Sequence, residues 1–195
     1  LPGKTTILSV RTASIGYAIP GTVIAVGVII PFAWLDGRID AFMQSSFGIS
    51  SGLILSGTIV AVMFAYVVRF LAISLQTVES GLDKIKPSMD DAARSLGCLP
   101  RETLFKIHIP LMKSSTLTAL MIVFVDVMKE LPATLILRPF DFNTLAVRAF
   151  ELASDERLAD SSTAALTIVI VGLLPVIYLS KTISHSRLDQ GNTEI

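Results

Sequence analysis

Residues 52–75 read GLILSGTIVAVMFAYVVRFLAISL, and Arg69 is their only charged side chain. A helix that crosses a bilayer core of roughly 30 Å needs about 20 predominantly apolar residues. This stretch therefore reads as a membrane span, with Arg69 near its end and able to snorkel toward the interface. Gly52, Ser56 and Gly57 are small enough to allow close helix contact. Working outward, three more stretches meet the same criterion. One runs from about Gly16 to Leu35, with Pro20 and Pro31 inside it and Trp34 at one end, where an interfacial aromatic belongs. Another runs from about Leu111 to Glu130, and the last from about Thr163 to Leu179, with Pro175 inside it. Membrane helices tolerate proline where neighbours satisfy the freed carbonyls. The fold class expected is all-α, a polytopic bundle of membrane helices.

Composition agrees. Of 195 residues, 52% are hydrophobic and only 16% charged, against about a quarter charged in soluble domains. The net charge is zero, so no basic field points to nucleic acid. The single cysteine, Cys98, excludes an internal disulfide framework and a cysteine-cluster metal site. The chain opens at Leu1-Pro2-Gly3 without an initiator Met or a signal-peptide pattern. It is expected to be a fragment, or the later part of a longer membrane protein.

The stretch 76–110 differs from its surroundings. It is amphipathic, rich in both charges, and punctuated by Pro87, Gly97, Pro100 and Pro110. Two short helices are expected, broken between Gly97 and Pro100. The first carries Met89, Ala92, Ala93 and Leu96 on one face. The second begins at Pro100 and runs through Arg101–Ile107 into the third span. Four spans place both termini and this loop on one side of the membrane. Five of the sixteen Lys and Arg residues fall on the other side (Arg38, Lys129, Arg138, Arg148 and Arg157) and eleven on the loop side. Positive charge concentrates in the cytoplasm, so the loop is expected there, with 131–162 as an external connection and 180–195 as a frayed cytoplasmic tail.

Within the loop, Asp91-Ala92-Ala93-Arg94-Ser95-Leu96-Gly97 is followed after nine residues by Ile107-His108-Ile109-Pro110. This resembles the Glu-Ala-Ala, three residues, Gly, nine residues, Ile-x-Leu-Pro motif of type I ABC importer permeases. Asp91 stands where that family has Glu, and Ile109 where it often has Leu. Gly16-Tyr17-Ala18-Ile19-Pro20-Gly21-Thr22, Lys129-Glu130-Leu131-Pro132-Ala133-Thr134 and Leu145-Ala146-Val147-Arg148 extend the resemblance over about residues 10–185. The pattern is most similar to the C-terminal half of ferric-iron importer permeases, and thiamine, sulfate and putrescine permeases share much of it. The resemblance implies a MetI-like permease core in the bacterial inner membrane. It makes Asp91, Ala92, Ala93, Gly97, Ile107 and Pro110 an ATPase-coupling loop. It also implies a cytoplasmic ABC ATPase, an external solute-binding protein and a second permease half as partners, beside membrane lipid. ATP and Mg would sit on the ATPase, with no cofactor on this chain. The rival classes are a secondary transporter and a membrane anchor, neither of which needs ATP turnover.

Few residues suggest chemistry. No Gly-x-x-x-x-Gly-Lys phosphate loop and no His-Glu-x-x-His zinc motif is present, so the expectation is a non-catalytic subunit. Asp126, an acid inside a span, either lines a translocation path or pairs with Lys129 three residues on; the pairing is favoured. Glu130 is the second path candidate. With Asp155, Glu156 and Asp160 it is expected on the outer side, where oxygen ligands suit ferric iron but a solvated or docking face is the commoner outcome. His108 and His185 have no ligand-like spacing; His108 is expected against the ATPase or a helix end.

Overall fold

The computed structural model describes residues 4–191. Leu1-Pro2-Gly3, the last four residues of the expected tail and the side chain of His185 lie outside the described residues. Among the described residues every regular element is a helix. In chain order these are α1 (Lys4–Ala18), α2 (Gly21–Phe47), α3 (Ile59–Leu82), α4 (Pro87–Ser95), α5 (Pro100–Met128), α6 (Pro132–Leu137), α7 (Leu145–Ser154) and α8 (Leu158–Gly191). Gly21–Phe47, Ile59–Leu82, Pro100–Met128 and the Leu158–Tyr178 part of α8 are long and apolar enough to cross a membrane. The all-α, polytopic expectation holds.

The helix limits differ from the expected spans in instructive ways. The span expected over 16–35 is not one helix. It breaks at Ile19–Pro20, because Pro20 has no N–H to continue α1; its carbonyl instead opens α2 by accepting from Val23 and Ile24. From there α2 runs on to Phe47, so the polar residues Asp36 and Asp40 lie inside a helix rather than in a loop. Spaced four apart on one face, they organise the segment before α3. Asp36 accepts from the amides of Ile54, Leu55 and Ser56 and from the Ser56 hydroxyl, and Asp40 accepts from Ser50, Ser51 and Gly52. Gly52 and Gly57, expected as helix-contact residues, sit instead in this turn with positive φ. Thr58 then caps α3 by accepting from the Val60 amide.

At the other end of α3 the helix continues to Leu82, and α5 already starts at Pro100, so the loop proper is 83–99. The expected third span to Glu130 stops at Met128. The connection 131–162 contains α6 and α7, and the tail expected to fray is helical to Gly191.

The core is formed by the first third of α2, the first third of α3 and α6. Ile24, Ala25 and Val28 meet Ala61, Val62 and Ala65, with Ala133 and Leu137 closing the third side. The rest of α3 packs between α1 and α5. Gly16 of α1 lies so near Val68 that a Cβ there would fall 2.2 Å from its carbonyl oxygen. Gly81 and Ser115 fix the antiparallel register of α3 on α5. With residue 81 level with 115, α5 comes alongside Tyr66–Phe70 by Val123 and Val127. It therefore ends near the middle of α3, and α6 takes over along the upper part.

Candidate functional site

Two regions carry the candidate residues. The first is the loop between α3 and α5. Pro87 at the first position of α4 supplies a preset φ where no N–H is needed. The helix ends in a Schellman motif: Gly97, at φ 80°, donates its N–H to the Arg94 carbonyl, and Cys98 donates to Ala93. That left-handed position is the reason for glycine; the space around its missing Cβ is open. The chain re-enters helix at Pro100, where Glu102 accepts from the Leu99 amide and pairs with Lys106 at 3.0 Å.

The start of α5 contains one wide π-type turn over Leu104–His108, closed by the Ile109 amide on the Leu104 carbonyl. A proline inside a regular helix loses a hydrogen bond and its ring meets the carbonyl four residues back; the wide turn just before Pro110 accommodates it, so α5 stays continuous. The same turn presents His108, whose Nε2–H donates to Asp90 of α4 at 2.7 Å. His108 thus meets a neighbouring helix within this chain. Cys98, Arg94 and Thr103 line the small cavity, about 140 Å³, between the two helices.

The structure ties the loop residues into one hydrogen-bonded unit but divides their roles. Ala93 is buried against the chain, whereas Asp91, Ala92 and Gly97 are exposed, so Ala93 does not share the outer face of Met89, Ala92 and Leu96. Ile107 is half-buried and Pro110 exposed. Leu96 at 83%, Leu99 at 67% and Phe105 at 66% exposure project from this unit, largely uncovered by the described residues.

The second region is the junction where α1 ends, α2 begins, α5 ends and α6 begins. Arg69 does not snorkel. Its Nε lies 3.0 Å from Glu130 Oε2, an ion pair whose N–H is not aligned for a hydrogen bond, and its Nη1 donates to the Ile19 carbonyl in the α1–α2 break. Glu130 is 5% exposed. It is therefore not on an outer acidic face with Asp155, Glu156 and Asp160, contrary to the sequence expectation. The physical reason is that α5 stops near mid-α3, which drops Glu130 beside Arg69. Its other oxygen accepts from the Ala133 amide at the start of α6, and its carbonyl accepts from Thr134, whose hydroxyl also meets the Tyr66 hydroxyl at 2.5 Å. A Cβ on Gly21 would fall 2.7 Å from the Glu130 carboxylate and 3.0 Å from the Arg69 guanidinium, so a larger residue there would have to displace the ends of the ion pair.

Asp126 pairs with Lys129 at 2.7 Å; Asp126 is nearly buried and the Lys129 side chain is 63% exposed. At this level the exposed charge belongs to Lys129. Arg157 and Asp160 form an exposed pair. Among the described residues no three His, Cys, Asp or Glu side chains gather as a metal site would require.

The family described as binding-protein-dependent transport system inner membrane component matches residues 2–190. The chain belongs to this family. It is a multi-pass inner-membrane protein of the type I ABC importer permeases. Among curated relatives, it is 27% identical over 165 residues to an Fe(3+)-transport system permease protein of Haemophilus influenzae, covering 85% of this chain and 29% of the relative. It is 28% identical over 173 residues to a putative 2-aminoethylphosphonate transport system permease protein of Salmonella typhimurium, covering 89% and 58%. The counterpart from Salmonella choleraesuis is 30% identical over 156 residues, covering 80% and 52%. The chain thus spans less than two thirds of the length of each of these relatives.

Proposed function

We propose that this permease chain receives a cytoplasmic ABC ATPase on the unit formed by residues 83–110 and passes a solute along a path shared with a second permease half. The observation that carries the reading is the loop itself. Leu96, Leu99 and Phe105 stand out from a unit that is held internally by the Schellman turn, by Asp90–His108 and by a helix continuous with the membrane span. Exposed apolar side chains on a rigid, helix-anchored element suit a partner surface that must transmit force. Asp91, Ala92 and Gly97 would face that partner, with Ala93 buried against the chain and Ile107 and Pro110 carrying the unit along α5 into the membrane span.

The solute we favour is ferric iron, delivered by an external binding protein. Relatives bearing that description support it, together with the likeness of the Lys129–Thr134 segment to ferric permeases. A phosphonate is the second reading, favoured by the identity to the 2-aminoethylphosphonate permeases. The path would run past Asp126 and Lys129. An exposed charge level with the middle of a membrane helix faces a partner or a water-filled route rather than lipid, whereas Glu130 stays behind in its ion pair. ATP and Mg would remain on the ATPase. Nucleotide binding would shift the population between inward- and outward-facing states.

Co-purification with a candidate cytoplasmic ABC ATPase tests the docking, comparing wild type with Gly97→Val. A β-branched residue at positive φ is strained by about 1–3 kcal/mol, so the variant should insert normally and lose the ATPase. Equal retention by both, or by neither, would reject the docking site. Uptake of radioactive ferric iron against 2-aminoethylphosphonate then decides the solute.

A further inference from the structure

Arg69 lies ten residues into α3, about 15 Å from the helix start at 1.5 Å per residue, which is half of a roughly 30 Å hydrocarbon core. A buried ion pair at that depth requires a compensating reason, since ionisable residues inside membranes are expensive and mark function by default. Two interrupted helices meet there. The α1–α2 break is held by Arg69 through the Ile19 carbonyl, and the α5–α6 break is held by Glu130 through the Ala133 amide. The ion pair joins the two breaks. The start of α2 at Gly21 packs directly against both charged ends.

The mechanical consequence follows from where α5 stops. Force entering at the loop travels along α5 as a rigid rod, but the rod ends at Met128. Beyond it, α6 and α2 form the core of the opposite end with the first part of α3. Across the break the chain continues only through Lys129, Glu130 and Leu131. Apolar contacts are non-directional and can slide. A charge pair with fixed hydrogen-bonded ends cannot slide without separating charges in a low-dielectric surround.

We propose that Arg69 and Glu130 are positioning residues of the transport cycle, coupling the displacement of α5 to α6 and α2 across two helix breaks. This rests on the docking reading above, because it needs the ATPase to move α5. The pair binds no solute and performs no chemistry.

The test uses the assembled transporter, permease with its ATPase, in proteoliposomes and in a Cys98→Ser background. Single reporter cysteines are placed at Lys113, exposed on α5 near the loop, and at Phe140, fully exposed beyond α6. Alkylation rates are read with and without ATP plus vanadate. In wild type both reporters should change rate on trapping. In Arg69→Met/Glu130→Met, which keeps a packed apolar fill, the reporter at 113 should still respond and the one at 140 should lose its response. If that variant does not assemble, Glu130→Gln takes its place; it retains an acceptor for Ala133 but not the charge, and the same loss is expected. Persistence of the response at 140 in the variant that assembles overturns the proposal while leaving docking intact. A wild-type chain that does not retain the ATPase overturns the docking reading and the coupling role with it.

Discussion

The loop of residues 83–110 and the Arg69–Glu130 junction are both built from short helices, tight breaks and a few charged residues, yet they are opposite in kind. The loop satisfies its own backbone locally and leaves Leu96, Leu99 and Phe105 in the open. The junction draws its partners from α3, α6 and the two helix breaks, and Glu130 at its centre is buried. A region finished by local bonds is free to offer its surface to another protein. A region finished by distant bonds holds the chain to itself. Stability and partner binding should therefore separate cleanly between the two.

The largest effect expected is at the junction. Arg69→Ala or Glu130→Ala leaves an uncompensated buried charge and should destabilise the protein by about 3–5 kcal/mol, seen as a fall in the thermal midpoint of the detergent-solubilised chain. Removing both charges together should cost much less than the sum of the single changes; full additivity would break the idea that they act as a pair. Next is the α1–α3 contact. Gly16→Val places a side chain against the Val68 carbonyl and should cost about 1–3 kcal/mol by overpacking. An unchanged midpoint would mean that α1 can move away from α3. The smallest stability effect is expected in the loop. Leu96→Ser with Leu99→Ser should stay within about 0.5 kcal/mol of wild type, since both side chains are exposed and the changes keep the backbone bonds, while ATPase retention is lost. A large fall in the midpoint would show that these side chains support the fold rather than a partner.

How much of this was legible in the sequence varies by region. The loop was legible almost whole: Gly97 and Pro100 mark its break, and each acts through its own backbone, whereas the helix runs on through Pro110. Only the direction of Ala93 was misplaced, since one helical step separates it from Ala92. The junction was not legible. Arg69 and Glu130 are far apart in sequence, each reads as an interfacial charge on its own span, and nothing local indicates that α5 ends level with mid-α3. The buried carboxylate of Asp36 escaped for the same reason, because its amide partners lie in the next segment. A signal was present in Pro20 and Pro132, which flag two breaks, but not in where those breaks meet.

The sequence by itself determined the class: apolar runs long enough to span, the side expected to carry positive charge, the family and the rigid loop. These depend on local composition and backbone chemistry, which each segment carries with it. Only the tertiary structure decided which charges are buried, which helices are interrupted against one another, and that Lys129 rather than Glu130 is exposed. Those outcomes depend on the register of α3 against α5, which is set by close contacts such as Gly81 on Ser115 between residues that no short stretch of sequence connects.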